Sequence, residues 1–319
     1  MKKILLLTIF SICLNQEVIG QGLSGNELID YVVNNYKTSN TLGYNDARNA
    51  MYGNVDNNNG TVKGIYSQLS VNNVPECSSN PSQCDYVRTF INNDGTLNCE
   101  HVWPQSLYEG TEPMRSDMHH IRPAKQNINS SRGNNPFGEI NDSQTNRWYW
   151  LEYNLTNPPS QNINEYSESY SSLFEPREDK KGDIARTIFY FYTMYSNVAN
   201  NNFFEIQKEQ LYDWHQMDPI TSEEIIRTNK IAEYQNSPNP FIIDESLIQR
   251  CYFEEDEEEY MMGDVNQDSN INVLDVVFLM NYILNLIDLN EEQIALGDLN
   301  NDNGINILDI VLLIEGIIS

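Results

Sequence analysis

Histidines are scarce in this chain and concentrated in one place. Of the four in the 319-residue sequence, three (His101, His119 and His120) fall within a window of 20 residues. Other polar side chains that could assist them lie in or beside the same window: Glu100, Arg115, Asp117, Arg122, Asn127, Asn129 and Arg132. Such a cluster, in a stretch rich in loop-forming residues, is typical of a polar active site.

Hydrolysis of a phosphodiester bond needs this set of groups. A histidine can take a proton from water near neutral pH. A divalent cation stabilises the charge that builds on the phosphate and the leaving oxygen. Magnesium needs few protein oxygens because it keeps several waters. An arginine can hold a phosphate through paired hydrogen bonds. The window therefore indicates metal-assisted cleavage of a phosphodiester.

Three short elements must bring these residues together. We predict a strand over residues 96–101, on which neighbouring side chains point to opposite faces. Glu100 and His101 can then divide the work, with one facing the metal and the other facing the water. Residues 117–122 are the predicted second strand. Residues 126–133 are a predicted short helix that brings an asparagine side chain back towards Glu100.

The rest of this region predicts an α+β fold. Apolar periodicity and helix-start signals indicate four longer helices, at residues 26–36, 183–195, 205–215 and 221–235. Thr221 and Glu224 have the spacing of a capping box at the start of the last one. Residues 54–138 are rich in Asn, Ser, Gly and Pro, which favours loops with short strands. We expect helices around a small, irregular catalytic insert.

Six segments of the chain resemble, in order, the sequence blocks of one known family. The first, NCEHVWPQS at residues 98–106, is similar to the signature of the endonuclease I family of ββα-metal (His-Me finger) nucleases. The others are DMHHIRP at 117–123, NSSRGN at 129–134, FEPR at 174–177, KGDIAR at 181–186 and NPFI at 239–242. The resemblance covers most of residues 25–250, and the joint order is more specific than any one block.

The resemblance implies a role for each polar residue. His101 would be the general base that activates water. Glu100 and Asn129 would be direct ligands of a Mg²⁺ or Mn²⁺ ion. Arg132 and Arg115 would contact the scissile or product phosphate. The resemblance thus implies one metal ion and one histidine base.

Structural roles compete with catalytic ones for several residues. Cys99, His101, His119 and His120 could instead form a zinc site, although their spacing matches no common finger. We expect Glu175 and residues 183–186 to form an ion-paired scaffold, and the aromatic side chains of 189–195 to be core. His215 is expected in the core or on the surface. Asn98 stands where family members carry an acidic residue, so its role is open.

Two loops near the C-terminus repeat with a period of 34 residues. Alternating oxygen ligands around a tight loop are what a calcium ion needs. The first loop offers Asp264, Asn266, Asp268, Asn270, Asn272 and Asp275, and the second offers Asp298, Asn300, Asp302, Gly304, Asn306 and Asp309. An apolar helix is predicted after each loop, over residues 276–284 and 310–318.

With one helix per loop and Asp at the twelfth position, this region resembles the type I dockerin module. The resemblance implies bound Ca²⁺, a small all-α domain and a cohesin-like protein partner. A calcium-stabilised tail without a partner is the alternative. Because the loop carboxylates repel one another without metal, we expect folding to be coupled to calcium binding.

The net charge of −27 is unusual for a protein that handles nucleic acid. From Glu254 onward there are 16 Asp and Glu residues and no Lys or Arg, and removing these 16 charges leaves −11 for the rest. We therefore expect no broad basic face. Binding must depend on local arginines and a metal ion rather than on the overall field.

The N-terminus predicts export. The segment MKK precedes a mostly apolar run over residues 4–14, and a cut near Gly20 or Gln21 would remove a signal peptide. The run is too short to span a bilayer, and no later stretch is long enough to span one. The predicted organisation is a signal peptide at 1–21, a catalytic domain at 22–253, an acidic linker at 254–261 and calcium-binding repeats at 262–319.

Four cysteines remain after the predicted cut, which suggests disulfides in an exported protein. Cys77 and Cys84 flank a loop rich in turn formers and could close a short covalent loop. Cys99 and Cys251 would pair by elimination, or each could be a buried thiol.

The sequence as a whole predicts a secreted, monomeric and largely sequence-nonspecific endonuclease. Its expected substrate is DNA, with RNA as a second candidate. Two other hypotheses stay open: a non-enzymatic, calcium-dependent docking or adhesion protein, and a phosphodiesterase that acts on small nucleotides.

Overall fold

The computed structural model describes residues 18–78, 80–253 and 261–318. Most of the predicted signal peptide, and residues 254–260 of the predicted linker, lie outside these ranges. The chain divides into two compact units, Met1–Glu255 and Asp256–Ser319, which are described one after the other. Within the described ranges, no helix has the length and apolar character needed to cross a membrane.

Helices provide most of the regular structure of the first unit. They are α1 (Gly25–Tyr36), α2 (Tyr44–Ala50), α3 (Asp85–Asp94), α4 (Gln126–Arg132), α5 (Lys181–Met194), α6 (Asn201–Glu205), α7 (Lys208–Met217), α8 (Ser222–Gln235), α9 (Pro240–Ile243) and α10 (Leu247–Tyr252). A π-helical turn, Met51–Val55, continues α2. Short 3-10 turns occur at Pro81–Gln83, Gln105–Leu107, Met114–Ser116, Ile163–Glu165 and Glu178–Lys180.

The strands of this unit are short and form three antiparallel sheets. They are β1 (Asn57–Asn58), β2 (Thr61–Lys63), β3 (Ser70–Asn72), β4 (Leu97–His101), β5 (Ile121–Lys125), β6 (Arg147–Trp150), β7 (Tyr153–Leu155), β8 (Ser167–Tyr170) and β9 (Leu173–Glu175). The sheet orders are β1-β2-β3, β4-β5 and β7-β6-β8-β9. This mixture of helices and strands confirms the α+β class.

Helix α5 runs through the main core, and its aromatic side chains reach the hairpin formed by β4 and β5. Phe189, Tyr190 and Phe191 are fully buried, as the sequence predicted. The ring of Phe191 stacks on Trp103, two residues beyond β4, with centroids 4.7 Å apart. An aromatic pair of this kind adds about 0.5–1.5 kcal/mol to the burial of its area. The end of β4 is therefore anchored on α5.

The predicted helices at 26–36, 126–133, 183–195 and 221–235 are confirmed as α1, α4, α5 and α8. Thr221 and Glu224 form the predicted capping box. The helix predicted at 205–215 is confirmed as α7, but it begins three residues later, at Lys208, because α6 ends at Glu205. Between them lies the buried Gln207, whose side chain accepts from the Phe137 N–H and donates to the Phe203 carbonyl.

The predicted second strand is present as β5, but its predicted bounds of 117–122 are wrong, since β5 begins only at Ile121. The carboxylate of Asp117 accepts a hydrogen bond of 3.0 Å from the backbone N–H of His119. The N–H of His120 in turn donates to the Asp117 carbonyl. These local bonds bend the chain into a turn, and the extended conformation starts after it.

Asp117 also binds three distant side chains, although it is fully buried. It accepts hydrogen bonds from the hydroxyls of Tyr190 at 2.9 Å and Tyr195 at 2.7 Å, and from the amide of Gln235 at 2.8 Å. Burial alone would raise the pKa of Asp117. The adjacent histidines and these hydrogen bonds outweigh burial and lower that pKa. The charged carboxylate thus joins the hairpin connection to α5 and α8.

The predicted ion-paired scaffold is confirmed around the start of α5. Arg186 is fully buried and binds both carboxylate oxygens of Glu224, at 2.7 and 2.9 Å. Lys181 lies 2.8 Å from Glu175. His215 is a core residue, whose Nδ1 lies 3.1 Å from the Arg186 guanidinium.

Cys77 and Cys84 form the predicted disulfide, with Cα atoms 5.7 Å apart. The second pair inferred by elimination is wrong, because Cys99 and Cys251 are free thiols. They cannot meet, since Cys251 belongs to the core around α5 and Cys99 packs against a separate apolar cluster. The alternative of two unpaired thiols therefore holds.

The second unit is built from α11 (Val273–Ile283), α12 (Glu291–Gly297) and α13 (Ile307–Ile318). The two predicted helices are confirmed, each beginning three residues earlier than expected, while α12 was not predicted. Val276 and Leu279 of α11 are buried with Ile310 and Leu313 of α13. Each pair of equivalent positions is separated by the 34-residue repeat, so the repeat specifies the core as well as the loops.

Replacing Asp117 with Asn tests the buried carboxylate. We expect a loss of about 3 kcal/mol in the free energy of unfolding of the first unit at pH 7, because a paired buried charge is removed and its donors are left unmatched. Because the pKa of Asp117 is lower in the folded state, its charge stabilises the fold fully above the unfolded pKa of about 4. This stabilisation is lost as the pH falls through the pKa of the folded state.

The difference between Asp117→Asn and the wild type should therefore shrink as the pH falls below the unfolded pKa of about 4. Denaturant titrations at pH 7 and pH 2.5 measure it, with the exposed Asp30→Asn as the control. An equal cost at both pH values would show that the charged form is not the stabilising one.

Candidate functional site

Glu100 lies on β4 with its carboxylate almost out of contact with water. The residue is 2% exposed, and Oε1 accepts a hydrogen bond of 2.8 Å from the Tyr66 hydroxyl. Nε of Arg132 lies 3.6 Å from the same oxygen. Burial raises the pKa of Glu100, and Arg132 and Tyr66 offset this only in part. A cation placed at this carboxylate would restore the solvation that burial removes.

Arg132 ends α4 and is itself 1% exposed. Its guanidinium donates to the carbonyls of Val102 and Gly133, at 2.5 and 3.1 Å, and lies 4.6 Å from the centroid of the Phe137 ring. Nε has no hydrogen-bond partner among the described residues. These contacts tie α4 to the end of β4 and place a buried positive charge beside Glu100.

Asn129 lies three residues before Arg132 on the same helix. Its Nδ2 donates to Oδ1 of Asn98 at 2.9 Å and to the carbonyl of Cys99 at 3.3 Å. With the nitrogen anchored on β4, the amide oxygen accepts no hydrogen bond from any described residue. Asn98 and Glu100 are two residues apart and therefore share one face of the strand. Asn129 thus lies over the face that carries Glu100.

This donor set fits a hard divalent cation. It offers a carboxylate oxygen from Glu100 and an amide oxygen from Asn129, which are the ligand types that magnesium and manganese prefer. Two protein ligands suffice for magnesium, which retains several waters. The hydrogen bond that Asn129 donates to Asn98 fixes the orientation of one ligand, as an outer partner does in many metal sites.

His101 projects from the opposite face of β4. Its Nε2 lies 3.0 Å from the carbonyl oxygen of Arg115. Because a carbonyl only accepts, Nε2 carries the hydrogen and Nδ1 is left as the acceptor. Burial, together with the neighbouring His120, lowers the pKa of His101 to about 3. The ring is therefore neutral at pH 7 and able to take a proton.

Two arginines meet one tyrosine beside the His101 ring. Tyr44 stacks on His101 with centroids 5.6 Å apart, and the guanidinium carbons of Arg115 and Arg48 lie 4.4 and 5.0 Å from the Tyr44 ring centroid. Arg115 is exposed and Arg48 is half-buried. Together they make a small cationic rim around the histidine.

Tyr44, Arg48 and Tyr66 were not predicted as site residues. All three precede the histidine window by more than 30 residues. They reach the site because α2 and the segment after β2 fold against the hairpin. No local motif surrounds them, so only the tertiary structure could identify them.

His119 and His120 both have structural partners. Nε2 of His119 lies 2.9 Å from the carbonyl of Ser237, and Nε2 of His120 lies 2.5 Å from that of Met114. In the described part of the chain, no three His, Cys, Asp or Glu side chains are grouped to hold a metal. The zinc alternative, which required Cys99, His101, His119 and His120 together, is therefore wrong.

The loops of the second unit have nearly the same hydrogen bonds in both repeats. Asp275 accepts from the N–H groups of Asn266 and Asn272, and Asp309 accepts from those of Asn300 and Asn306.

At the first position of the first loop, Oδ2 of Asp264 is buried without a hydrogen-bond partner among the described residues. An unmatched buried carboxylate oxygen in a loop of oxygen donors fits a calcium ion.

Comparison with known families assigns both units. A family model described as Endonuclease I matches residues 24–246, and a model described as Dockerin type I domain matches residues 262–318. The first match contains the hairpin of β4 and β5 together with α4. The second contains both acidic loops and the helices that follow them.

Several curated proteins are similar to the first unit. The extracellular ribonuclease of Bacillus subtilis (strain 168) is 30% identical over 166 residues, which cover 47% of this chain and 52% of that protein. The extracellular ribonuclease of Bacillus amyloliquefaciens is 29% identical over 209 residues, 57% of this chain and 66% of that one. Endonuclease-1 of Buchnera aphidicola subsp. Acyrthosiphon pisum (strain APS) is 26% identical over 139 residues, 44% and 47%. The chain thus spans about half to two thirds of their length.

Removing the anchor of Asn129 tests the donor set. We expect Asn98→Ala to weaken the affinity for magnesium about 10–100-fold, because the amide oxygen of Asn129 is no longer held in one orientation. The magnesium dependence of cleavage measures this change. Ser130→Ala is the matched control, since that hydroxyl bonds only its own helix. An unchanged magnesium midpoint in Asn98→Ala would remove Asn129 from the ligand set.

Proposed function

Since the chain belongs to the Endonuclease I family and carries a C-terminal dockerin type I domain, we propose that it is a secreted, metal-dependent endonuclease. The observation that carries this proposal is the division of β4 into two faces. One face presents Glu100 beneath Asn129, and the other presents a neutral histidine, His101, with a free Nδ1.

His101 is the proposed general base. Its Nδ1 accepts a proton from water as the water oxygen bonds to phosphorus and the bond to the leaving oxygen breaks. The carbonyl of Arg115, which accepts from Nε2–H, stabilises the imidazolium that forms. A phosphate beside the ring would favour the charged form and move the pKa of His101 back towards neutral pH.

Glu100 and Asn129 are the proposed ligands of a Mg²⁺ or Mn²⁺ ion. When bound there, such an ion would stabilise the negative charge on the phosphate and the leaving oxygen. The roles of the arginines differ. Arg115 is exposed beside His101 and is the proposed phosphate contact. Arg132 is buried against Glu100, which favours a positioning role over direct contact with phosphate.

The proposed substrates are RNA and DNA, cut without strong sequence preference. Two of the similar proteins are named extracellular ribonucleases and one is named an endonuclease, which supports both sugars. The two extracellular ribonucleases also support a secreted location for this protein. The proposed contacts are to phosphate, which carries no sequence information directly.

His101→Ala tests the base. With magnesium, the wild type should convert plasmid DNA and a long RNA to short products, and a chelator should stop the reaction. The alanine variant should be at least about 100-fold slower, since general base catalysis contributes roughly that factor or more. His119→Gln is the matched control, because its amide can still donate to the Ser237 carbonyl. Cleavage of small nucleotide esters but not of polymers would favour the phosphodiesterase hypothesis instead.

For the second unit we propose a calcium-dependent docking role with a cohesin-like protein. The support is an exposed apolar face that follows the 34-residue repeat. Val273 and Leu274 at the start of α11 are 64% and 55% exposed, and Ile307 and Leu308 at the start of α13 are 64% and 58% exposed. Apolar side chains exposed in equivalent positions favour a protein interface over a solvated tail.

Calcium and the apolar face can be tested together on the full-length chain. Calcium should raise the melting temperature of the second unit, and retention on an immobilised cohesin should require calcium. The double variant Leu274→Asp/Leu308→Asp should keep the calcium-induced stabilisation and lose retention. Leu286→Asp changes an exposed leucine outside the repeated positions and should keep both. Retention that survives a chelator would contradict the calcium-dependent interface.

A further inference from the structure

A cavity of about 740 Å³ lies beside β5 in the first unit. Its walls are formed by the chain between Val55 and Gln68, by the first turns of α8 and by the start of α5. Arg122 of β5 lines it, whereas Glu100 and His101 do not. The cavity is therefore a compartment of its own that shares the hairpin with the catalytic residues.

Arg122 lines this cavity, and its guanidinium is poorly hydrogen-bonded. The residue is 6% exposed, Nε has no partner, and the guanidinium donates to no described residue. The nearest carboxylate oxygen, that of Asp183, lies 3.5 Å away, too far for a good hydrogen bond, and Lys180 holds Asp183 more closely at 3.1 Å. A buried charged group with five donors is incompletely satisfied by this one long ion pair, which favours the binding of a further anion.

The pKa of Arg122 does not remove this requirement. Burial, and then the adjacent Arg227, lower it to about 10. The guanidinium therefore remains positively charged at neutral pH. Arg227 does not compete for the same anion, because both of its terminal nitrogens and Nε are used by Asp56 and by backbone carbonyls.

The charged side chains that line the cavity are balanced in number, with five carboxylates and five cations. Two of the lining acids are held by arginines at 2.7 Å, Asp56 by Arg227 and Glu224 by Arg186. Asp179 shares Arg177 with Glu165. Lys63 is exposed and has no ion pair with a described residue, and Lys230 donates only to the Asn54 carbonyl. The cavity thus brings three cations without a close ion pair, Arg122, Lys63 and Lys230, into a lining whose charges otherwise balance.

The hairpin places this site next to the catalytic one. Arg122 pairs directly with Glu100 across β4 and β5. Directly paired residues of an antiparallel sheet project to the same face, with Cα atoms about 5 Å apart. Tyr66, which donates a hydrogen bond to Glu100, is also close enough to Arg122 for its positive charge to act on the Tyr66 hydroxyl. Successive phosphates along one strand of a duplex advance only about 3.4 Å along its axis, so a neighbouring phosphate can reach the cavity.

We propose that the cavity of Arg122, Lys63 and Lys230 binds a phosphate group of the nucleic-acid strand, next to the phosphate that is cut. The inference rests on the proposed nuclease function and adds a binding site to it. The planar guanidinium supplies paired hydrogen bonds to one phosphate, and the two lysines add point charges at its edge.

The test measures binding in a His101→Ala background, where cleavage is expected to be at least about 100-fold slower and the cavity is intact. Arg122→Gln should weaken the affinity for a short oligonucleotide about tenfold. It should also reduce the slope of log affinity against log salt by about 0.7–0.9, the change expected for one lost phosphate contact. Lys63→Gln, at an exposed position, should act in the same direction with a smaller loss. Lys208→Gln makes the same charge change outside the cavity and should alter neither quantity.

A second measurement identifies the phosphate. Neutral methylphosphonate linkages are placed one at a time along the oligonucleotide. A methylphosphonate at one linkage other than the scissile one should lower the affinity of the protein that retains Arg122 for the oligonucleotide. The same substitution should have no effect on binding by Arg122→Gln. Inorganic phosphate alone should raise the melting temperature of the protein with Arg122 and not that of the variant. If Arg122→Gln does not fold, the double variant Lys63→Gln/Lys230→Gln takes its place in both measurements.

A methylphosphonate scan that is the same with and without Arg122 would overturn the proposal. Equal losses of oligonucleotide affinity in Lys63→Gln and Lys208→Gln would also overturn it. Stabilisation by inorganic phosphate without any sensitive linkage would mean that the cavity takes free phosphate, which also overturns the assignment to the strand. Because these measurements need no cleavage, an inactive wild type would count against the nuclease function alone.

Discussion

The buried carboxylate of Asp117 is the contact on which the catalytic hairpin depends. It receives hydrogen bonds from Tyr190, Tyr195 and Gln235, so it joins the connection between β4 and β5 to two helices of the core. That connection supplies the carbonyl of Arg115, which orients His101. A charged group in the interior is retained only where its partners are fixed. The tautomer of the proposed base thus follows from a network formed by residues distant in sequence.

The two faces of β4 have different electrostatic environments. On one face, burial destabilises the charged form of Glu100, and Tyr66 and Arg132 compensate only in part, which favours the approach of a cation. On the other face, burial keeps His101 neutral. Adjacent residues can have these different environments because consecutive side chains of a strand point apart. A helix could not separate neighbours so completely, since its successive side chains diverge by only about 100°.

The sequence predicted what local rules determine. The capping box at Thr221, the helix after the hairpin and the loop closed by Cys77 and Cys84 each depend on residues close together in the chain. The predictions from sequence failed where contacts between residues distant in the chain determine the structure. The turn that delays the start of β5 is held by hydrogen bonds to Asp117 from Tyr190, Tyr195 and Gln235. The break between α6 and α7 contains Gln207, which bonds Phe137. Tyr66 and Tyr44 reach the site only through the packing of segments that carry no motif.

The acidic composition is compatible with a nucleic-acid substrate because half of the ten arginines are buried inside the protein. Arg132, Arg177, Arg186 and Arg227 are buried, and each is held by a carboxylate or by backbone carbonyls. The overall field is therefore negative, yet at physiological salt it is screened beyond about 8 Å. Within that distance a phosphate experiences mainly Arg115 and Arg48 around Tyr44. Local arrangement, rather than net charge, then determines where a strand can bind.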